Sequence, residues 1–255
     1  MELFDTHCHL DFNAFDIDRD HVIKKSKQHG VKHILIPAIS KKQWHKTISL
    51  SQDCSICYLA LGLHPMFIEE HQPQHLNELD ELVAQHKPLA IGEIGLDFYD
   101  KHRDNNKEKQ TIFFSKQLII AKQHNLPVII HNRKAHDLCL NLLKEHDIDS
   151  GIIHAFNGSI QQAEKYIELG CKLGFGGMLT YERSNKLRQL AKHLPLESIV
   201  LETDAPDMTV SQHSGNRNSP EYIPYIAQSL AQITQRPVEQ IAEITTENAK
   251  SVLRI

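Results

Sequence analysis

The sequence has no apolar run of the roughly eighteen consecutive residues that a helical membrane span requires, so nothing in it asks for a bilayer. It also lacks a disulfide framework. Five cysteines in 255 residues are few and odd in number, which fits a reducing compartment. Cys54-Ser55-Ile56-Cys57 has C-x-x-C spacing, but no second pair completes a zinc ribbon and an apolar run follows where a redox motif opens a helix. The spacing is read as chance. Aromatic residues make up only 6% of the chain, too few for a long base-stacking platform. Positive charge is not in excess either: 28 Lys and Arg against 32 Asp and Glu leave a net charge of −4. That excludes coating of duplex nucleic acid through many phosphate contacts and leaves recognition of a strand end open. Lys24-Lys25-Ser26-Lys27 in the first helix and Lys41-Lys42 in the loop after the second strand have acidic neighbours and are read as solvated faces. Met1-Glu2-Leu3-Phe4 opens without a basic and then an apolar segment, so no secretory leader is expected and a cytoplasmic location is.

What is present is an alternation. Apolar runs of strand length fall at Leu3-Phe4, His33 to Ala38, Tyr58 to Leu63, Leu89 to Ile94, Pro127 to Ile130, Gly151 to Ile153, Lys172 to Gly176 and Ile199 to Leu201. Between them lie amphipathic stretches such as Asp18 to His29, Gln74 to His86, Asn106 to His124, Ala135 to His146, Ser159 to Leu169 and Ser184 to His193. Strands alternating with helices of this length predict parallel βαβ units, and eight of them predict a (β/α)8 TIM barrel, a single domain over residues 1–255. A doubly wound sheet is the competing architecture, and no Gly-rich phosphate fingerprint at the first turn supports it. Past the eighth run a long loop, Met208 to Asn218, leads to extra C-terminal helices at about Pro220 to Thr234 and Pro237 to Leu253, which are expected to close the barrel and pack outside it.

The chain holds 18 histidines, several of them at the end of an apolar run. His7 and His9 are two apart and share a strand face, which aims both at the barrel mouth. Glu93 closes Ala90-Ile91-Gly92-Glu93, His131 closes Val128-Ile129-Ile130-His131, His154 closes Gly151-Ile152-Ile153-His154, and Asp204 closes the last run. Barrel enzymes place their chemistry at these strand ends. Four imidazoles and two carboxylates suit two divalent metal ions, with zinc, manganese, nickel and magnesium all open. In this reading Glu93 bridges the ions, His7, His9 and Asp204 hold one, and His131 and His154 hold the other. A metal-bridging hydroxide is then the nucleophile, and Asp204 orients the water and takes its proton. Glu202 shares the parity of Asp204 one layer deeper, either as a partner to a ligating histidine or as a purely structural carboxylate.

The pieces Phe4-Asp5-Thr6-His7-Cys8-His9-Leu10-Asp11, Gly62-Leu63-His64-Pro65, Ile91-Gly92-Glu93-Ile94-Gly95-Leu96-Asp97, Leu126-Pro127-Val128-Ile129-Ile130-His131, His154-Ala155-Phe156-Asn157-Gly158 and Leu201-Glu202-Thr203-Asp204-Ala205-Pro206 resemble, in order and from end to end, the TatD family of metal-dependent deoxyribonucleases in the amidohydrolase superfamily. The resemblance implies a divalent-metal phosphodiesterase that shortens DNA from the 3′ end. It also puts His7, His9, Glu93, His131, His154 and Asp204 in the family's metal-ligand places. Two positions depart from the usual pattern: Asp207 stands where many members carry an aromatic residue, and Ala155 where a cysteine is usual. The Asp-Ala-Pro-Asp-Met form resembles the YjjV-like branch.

Around the mouth, His64 is either a substrate contact and proton donor to the leaving oxygen or a loop histidine bonded to backbone. Arg133 is either a phosphate contact or a solvated charge opening a helix. Asp207 is a further candidate for substrate binding, and Asp97 is placed in a loop, where a carboxylate more often caps a turn. The expected partners are a DNA end or a small phosphoester or ester, with no membrane and a monomeric chain. The competing functions are hydrolysis of a small ester, lactone, amide or phosphate, and metal binding without catalysis.

Overall fold

The structure is a computed structural model and describes residues 1–99 and 106–255. Eight strands lie in the order in which the chain makes them: β1 Leu3–Asp5, β2 Val31–Pro37, β3 Cys57–Leu61, β4 Ala90–Asp97, β5 Val128–Arg133, β6 Gly151–Ile153, β7 Cys171–Phe175 and β8 Ile199–Leu201. Each pairs in parallel with the next. The ring closes between β8 and β1, where Thr6 N–H donates to the Leu201 carbonyl (3.0 Å), His9 N–H donates to the Ala205 carbonyl (2.8 Å) and Cys8 bridges to Ala205. The helices are α1 Arg19–Gln28, α2 Lys41–Asp53, α3 Gln74–His86, α4 Lys107–Gln123, α5 His136–Glu145, α6 Ile160–Glu168, α7 Asn185–His193, α8 Ile223–Thr234 and α9 Val238–Leu253. This is the expected (β/α)8 barrel with extra C-terminal helices.

Two cores hold it. The inner one gathers one residue from most strands, among them Phe4, Leu35, Ala90, Ile129, Ile152 and Val200, and is floored by Ala249, Val252 and Leu253 of α9. The outer one lies between the sheet and the helices. Burying each large aliphatic chain stabilises the fold by about 1.5–3 kcal/mol. Polar groups of α9 fix the floor: Asn248 Nδ2 donates to the Leu196 and Ile199 carbonyls (2.8 and 2.7 Å), and Ser150 Oγ donates to the Val252 carbonyl (2.9 Å). With the lower end filled, the free end of the barrel is the C-terminal end of the strands.

Four expectations need correction. Lys41 and Lys42 open α2 and do not sit in a loop. The run Thr47-Ile48-Ser49 has weak helical propensity and hid this helix, although Trp44, Thr47 and Ile48 supply a buried stripe at helical spacing. Strands β4 and β5 run past their expected ends, so Asp97 and Arg133 are strand residues. Strand β1 stops at Asp5, and Thr6 is a bend before His7. Cys57 starts β3, and Cys54 follows the end of α2.

The β1–β8 seam is stitched by Asp5, which is wholly buried. Its Oδ2 accepts from Thr203 Oγ1 (2.6 Å) and its Oδ1 from Thr203 N–H (2.9 Å) and His7 N–H (3.3 Å). Burial pushes its carboxyl up to about 8, against the opposing pull of the Thr203 hydrogen bonds. The native chain therefore keeps a proton here that the unfolded chain releases above about pH 4. The contribution is fully present below that pH and is lost as pH rises to the folded value. In metal-free protein, the unfolding free energy of the wild type relative to Asp5→Asn should fall by up to about 1.4 kcal/mol per pH unit between roughly pH 4 and 8 and level off above. Denaturant titrations across that range check it, and parallel curves for the two proteins contradict it.

Candidate metal centre

Strand alternation carries part of the centre up from the inner core. On β5, Ile129 is in the core and His131 and Arg133 follow on the same face. On β6, Ile152 is followed by His154, and on β8 Val200 is followed by Glu202 and then Asp204. Strand β4 does not follow simple alternation. Ala90 is in the inner core, and a shift in pairing between Ile91 and Ile94 inserts an extra residue that turns Glu93 inward. Ile94 and Leu96 then pack outward, which returns Asp97 to the inner face with Glu93. Gly95 lies between them at φ 139°, where a Cβ would come within 2.0 Å of the His131 carbonyl oxygen. Asp204 takes a left-handed backbone, φ 56°, a conformation aspartate tolerates better than most residues.

These side chains meet around Glu93. Its Oε2 lies 3.1 Å from His7 Nε2 and 3.5 Å from His9 Nε2, and its Oε1 lies 3.2 Å from His64 Nε2 and 3.3 Å from His131 Nδ1. Asp204 closes the other side, with Oδ1 3.8 Å from His7 Nε2 and 3.5 Å from His9 Nε2, and Oδ2 3.6 Å from His154 Nε2. The His7 and His154 rings stack at 3.7 Å. All six residues expected at strand ends thus share one cluster, and His64 joins it. His131 and His154 are farther apart, with centroids separated by 6.5 Å, and the imidazole beside His131 at Oε1 is that of His64.

The donor set fits divalent cations. His7 Nε2 and His9 Nε2 approach within 3.2 Å, and neighbouring ligand atoms around a tetrahedral ion with bonds near 2.0–2.1 Å are about 3.3 Å apart. One buried and one partly buried carboxylate, Glu93 and Asp204, also need compensating charge. Burial alone would raise Glu93, but His64 and His7 outweigh it and hold the carboxyl well below its usual range. Asp204 is drawn down to about 2, burial opposing and His154 prevailing. His7 is lowered by burial and by His154.

Two further carboxylates face away from the cluster and hold its histidines. Asp97 Oδ2 lies 3.1 Å from His131 Nε2, and Glu202 Oε1 lies 3.0 Å from His154 Nδ1 while accepting from Ala155 N–H at 2.7 Å. Such pairs fix ring orientation and raise ligand basicity. The Glu202 pairing is one of its two expected roles. The Asp97 pairing was hidden by placing the residue in a loop. Gly174 makes room for Glu202, because a Cβ there would come within 2.3 Å of Oε2.

His64 is pinned through its other nitrogen. Nδ1 accepts from Met66 N–H (3.1 Å), so the neutral ring carries its proton on Nε2 and donates it toward Glu93 Oε1. His71 Nε2 donates to the His64 carbonyl (3.0 Å). Burial holds His64 down at about 4, so the ring is neutral at neutral pH.

A cavity of about 750 Å³ opens above the cluster. Arg133 lines it, with its guanidinium 3.5 Å from the centroid of the Tyr99 ring, as does Asp207, whose backbone carbonyl is held by Asn218 Nδ2 at 2.8 Å. Of the long loop after β8, Met208 lines the cavity. The sequence did not single out Phe12, Phe67, Arg183 or Lys186, which also line it.

His154 and His131 are the imidazoles drawn toward the protonated form. Burial lowers both, but Glu202 and Asp204 raise His154 well above its usual value, and Asp97 with Glu93 raises His131. A cation displaces such protons. Binding of a divalent cation at pH 7 should release about one proton or more, seen as a dependence of the calorimetric heat on the buffer's ionisation enthalpy. Heats independent of buffer contradict this.

Residues 4–254 match the family model described as TatD related DNase. YjjV of Escherichia coli (strain K12), an uncharacterized metal-dependent hydrolase, is 37% identical over 254 residues, covering 98% of this chain and 97% of that one. A crystal structure of YjjV from Escherichia coli K12 superposes with a TM-score of 0.94, covering 99% of this chain and 98% of the other at 37% identity. A protein of Pectobacterium parmentieri (strain WPP163) named 3′-5′ ssDNA/RNA exonuclease TatD is 30% identical over 261 residues, covering 99% of this chain and all of its own length.

Proposed function

Because the chain belongs to the TatD-related DNase family, we propose that it removes nucleotides from the 3′ end of single-stranded DNA with two divalent cations seated on either side of Glu93. It is a metal-dependent hydrolase of ester bonds, and the choice of a DNA end is the finer step. The observation that carries the reading is the placement of the Glu93 oxygens, Oε2 toward His7 and His9 and Oε1 toward His131 and His64. A carboxylate with one oxygen toward His7 and His9 and the other toward His131 would be placed to bridge two cations. The Pectobacterium relative's name supports the nucleic-acid substrate.

His7, His9, Asp204 and Glu93 Oε2 hold one cation in this reading, and Glu93 Oε1, His131 and His154 hold the second. His64 stays a donor, because Met66 N–H occupies its Nδ1 and leaves the proton on Nε2. Cations bound here supply Lewis acidity to a phosphoryl oxygen and lower the pKa of the attacking water. The protein does the rest. Asp204, kept ionised, orients the water and takes its proton at the carboxylate. As water adds to phosphorus, the bond to the 3′-oxygen of the penultimate nucleotide breaks; His64 Nε2–H steadies the charge on that oxygen by a hydrogen bond, and the proton that Asp204 took from the water passes to it. The products are a 5′-mononucleotide and a strand one residue shorter. Arg133 grips a phosphate with its planar fork. Asp207 accepts from the terminal 3′-hydroxyl and repels any further phosphate, which favours an end over an internal site.

Incubation of metal-loaded protein with single-stranded oligonucleotides tests this. The wild type should yield a ladder shortened from the 3′ end and Glu93→Ala should yield none, while equal shortening by both, or turnover of small esters and lactones alone, defeats it. Elemental analysis separates the histidines. His154→Ala should lose one of two equivalents of metal. His64→Ala should keep both yet turn over roughly 10²–10⁴-fold more slowly.

A further inference from the structure

The cavity over the cluster is lopsided. On the side of β1, β2 and β3, its wall beyond the histidines is, among the described residues, Phe12, Ile39, Met66 and Phe67, none of them charged. On the side of β5 to β7 the cations Arg133, Arg183 and Lys186 stand among apolar residues that include Phe156, Phe175, Met178 and Leu187. Each of those cations has a ring or a carbonyl as the partner seen here. Arg133 lies over Tyr99, Arg183 is 5.1 Å from the centroid of Tyr181, and Lys186 Nζ donates to the Asn157 carbonyl (2.8 Å). Among the described residues none of the three forms an ion pair with a carboxylate, which leaves their charge to an anion.

On the apolar side, both aromatic rings are braced against histidines of the cluster. Phe12 stacks on His9 with centroids 4.6 Å apart and planes 20° apart, and Phe67 meets His64 edge-on at 6.1 Å. Both rings are half-buried and line the cavity beyond those contacts. A nucleic-acid strand separates into the same two chemistries. Its bases stack on any aromatic surface, and its phosphates require cations.

We infer that Phe12 and Phe67 receive the terminal nucleobase, and that the strand preceding it leaves the site across Arg133, Lys186 and Arg183. The inference rests on the 3′-end reading above and gives it a direction. Asp207 lines the same cavity, and its negative charge would repel a phosphate beyond the terminal nucleoside. Stacking reads any base alike, so the wall selects an unpaired end and not a sequence.

Two measurements test it. An oligonucleotide carrying 2-aminopurine as its 3′-terminal base, added to metal-free protein, should be quenched by the wild type and by Arg183→Gln/Lys186→Gln but not by Phe12→Leu/Phe67→Leu, and the same base at the 5′ end should stay bright. Quenching that survives in the double phenylalanine variant, or is equal at both ends, overturns the assignment. In turnover, kcat/KM of the wild type should be about 10-fold higher for a normal 3′-terminal nucleotide than for an abasic one, a preference that disappears in the phenylalanine variant. Arg183→Gln and Lys186→Gln should each make the salt dependence of binding shallower by roughly 0.7 in log–log slope. An unchanged slope removes the exit path. If no oligonucleotide is shortened at all, the nuclease reading fails, and the quenching still decides whether the aromatic wall takes a base.

Discussion

The structure is organised by one buried carboxylate. Glu93 is 2% exposed, and both of its oxygens face imidazole nitrogens at 3.1–3.5 Å. An ionised carboxylate in such a place is costly unless opposite charge stands on every open side. Much of the barrel serves that requirement. The bulge in β4 turns Glu93 inward, Asp5 locks the seam that carries His7, and α9 fills the floor so that the chemistry lies at the open end.

The strand-and-helix pattern was plain in the sequence because buried parallel strands and amphipathic helices leave different periodicities. Parity was reliable where strands are regular: Ile129 with His131 and Arg133, Ile152 with His154, and Val200 with Glu202 fall as alternation predicts. It was unreliable at Glu93 and His7. Strict alternation from Ala90 and from Phe4 sends both outward, and only a bulge and a bend at Thr6 bring them in. Those irregularities have no periodic signature. The strand-end motif found the residues, and the backbone irregularity supplies the reason they meet.

Other parts were illegible for different reasons. Helix α2 has a buried stripe broken by β-branched and serine residues, so nothing periodic in the sequence marks Lys41 and Lys42 as helical. The apolar run of β4 ends at Ile94, three residues before the strand does, which conceals Asp97 as a strand residue; its pairing with His131 makes it the counterpart of Glu202 on His154. Phe12 and Arg183 sit in loops, Phe67 ends a short 3-10 helix and Lys186 stands at the start of α7, places where neither spacing nor composition marks a residue as facing a cavity. They line the mouth beside the cluster of histidines and carboxylates, the two phenylalanines on the side of β1 to β3 and the two cations after β7.

The central claim is that Glu93 bridges two cations. Crystals of the metal-loaded protein, with anomalous diffraction recorded at the absorption edge of the bound metal, test it most directly. The account predicts two anomalous peaks, one on the His7–His9 side of Glu93 and one on the His131 side, each about 2.0–2.2 Å from its own carboxylate oxygen. A single peak, or two peaks of which neither contacts Glu93, contradicts it.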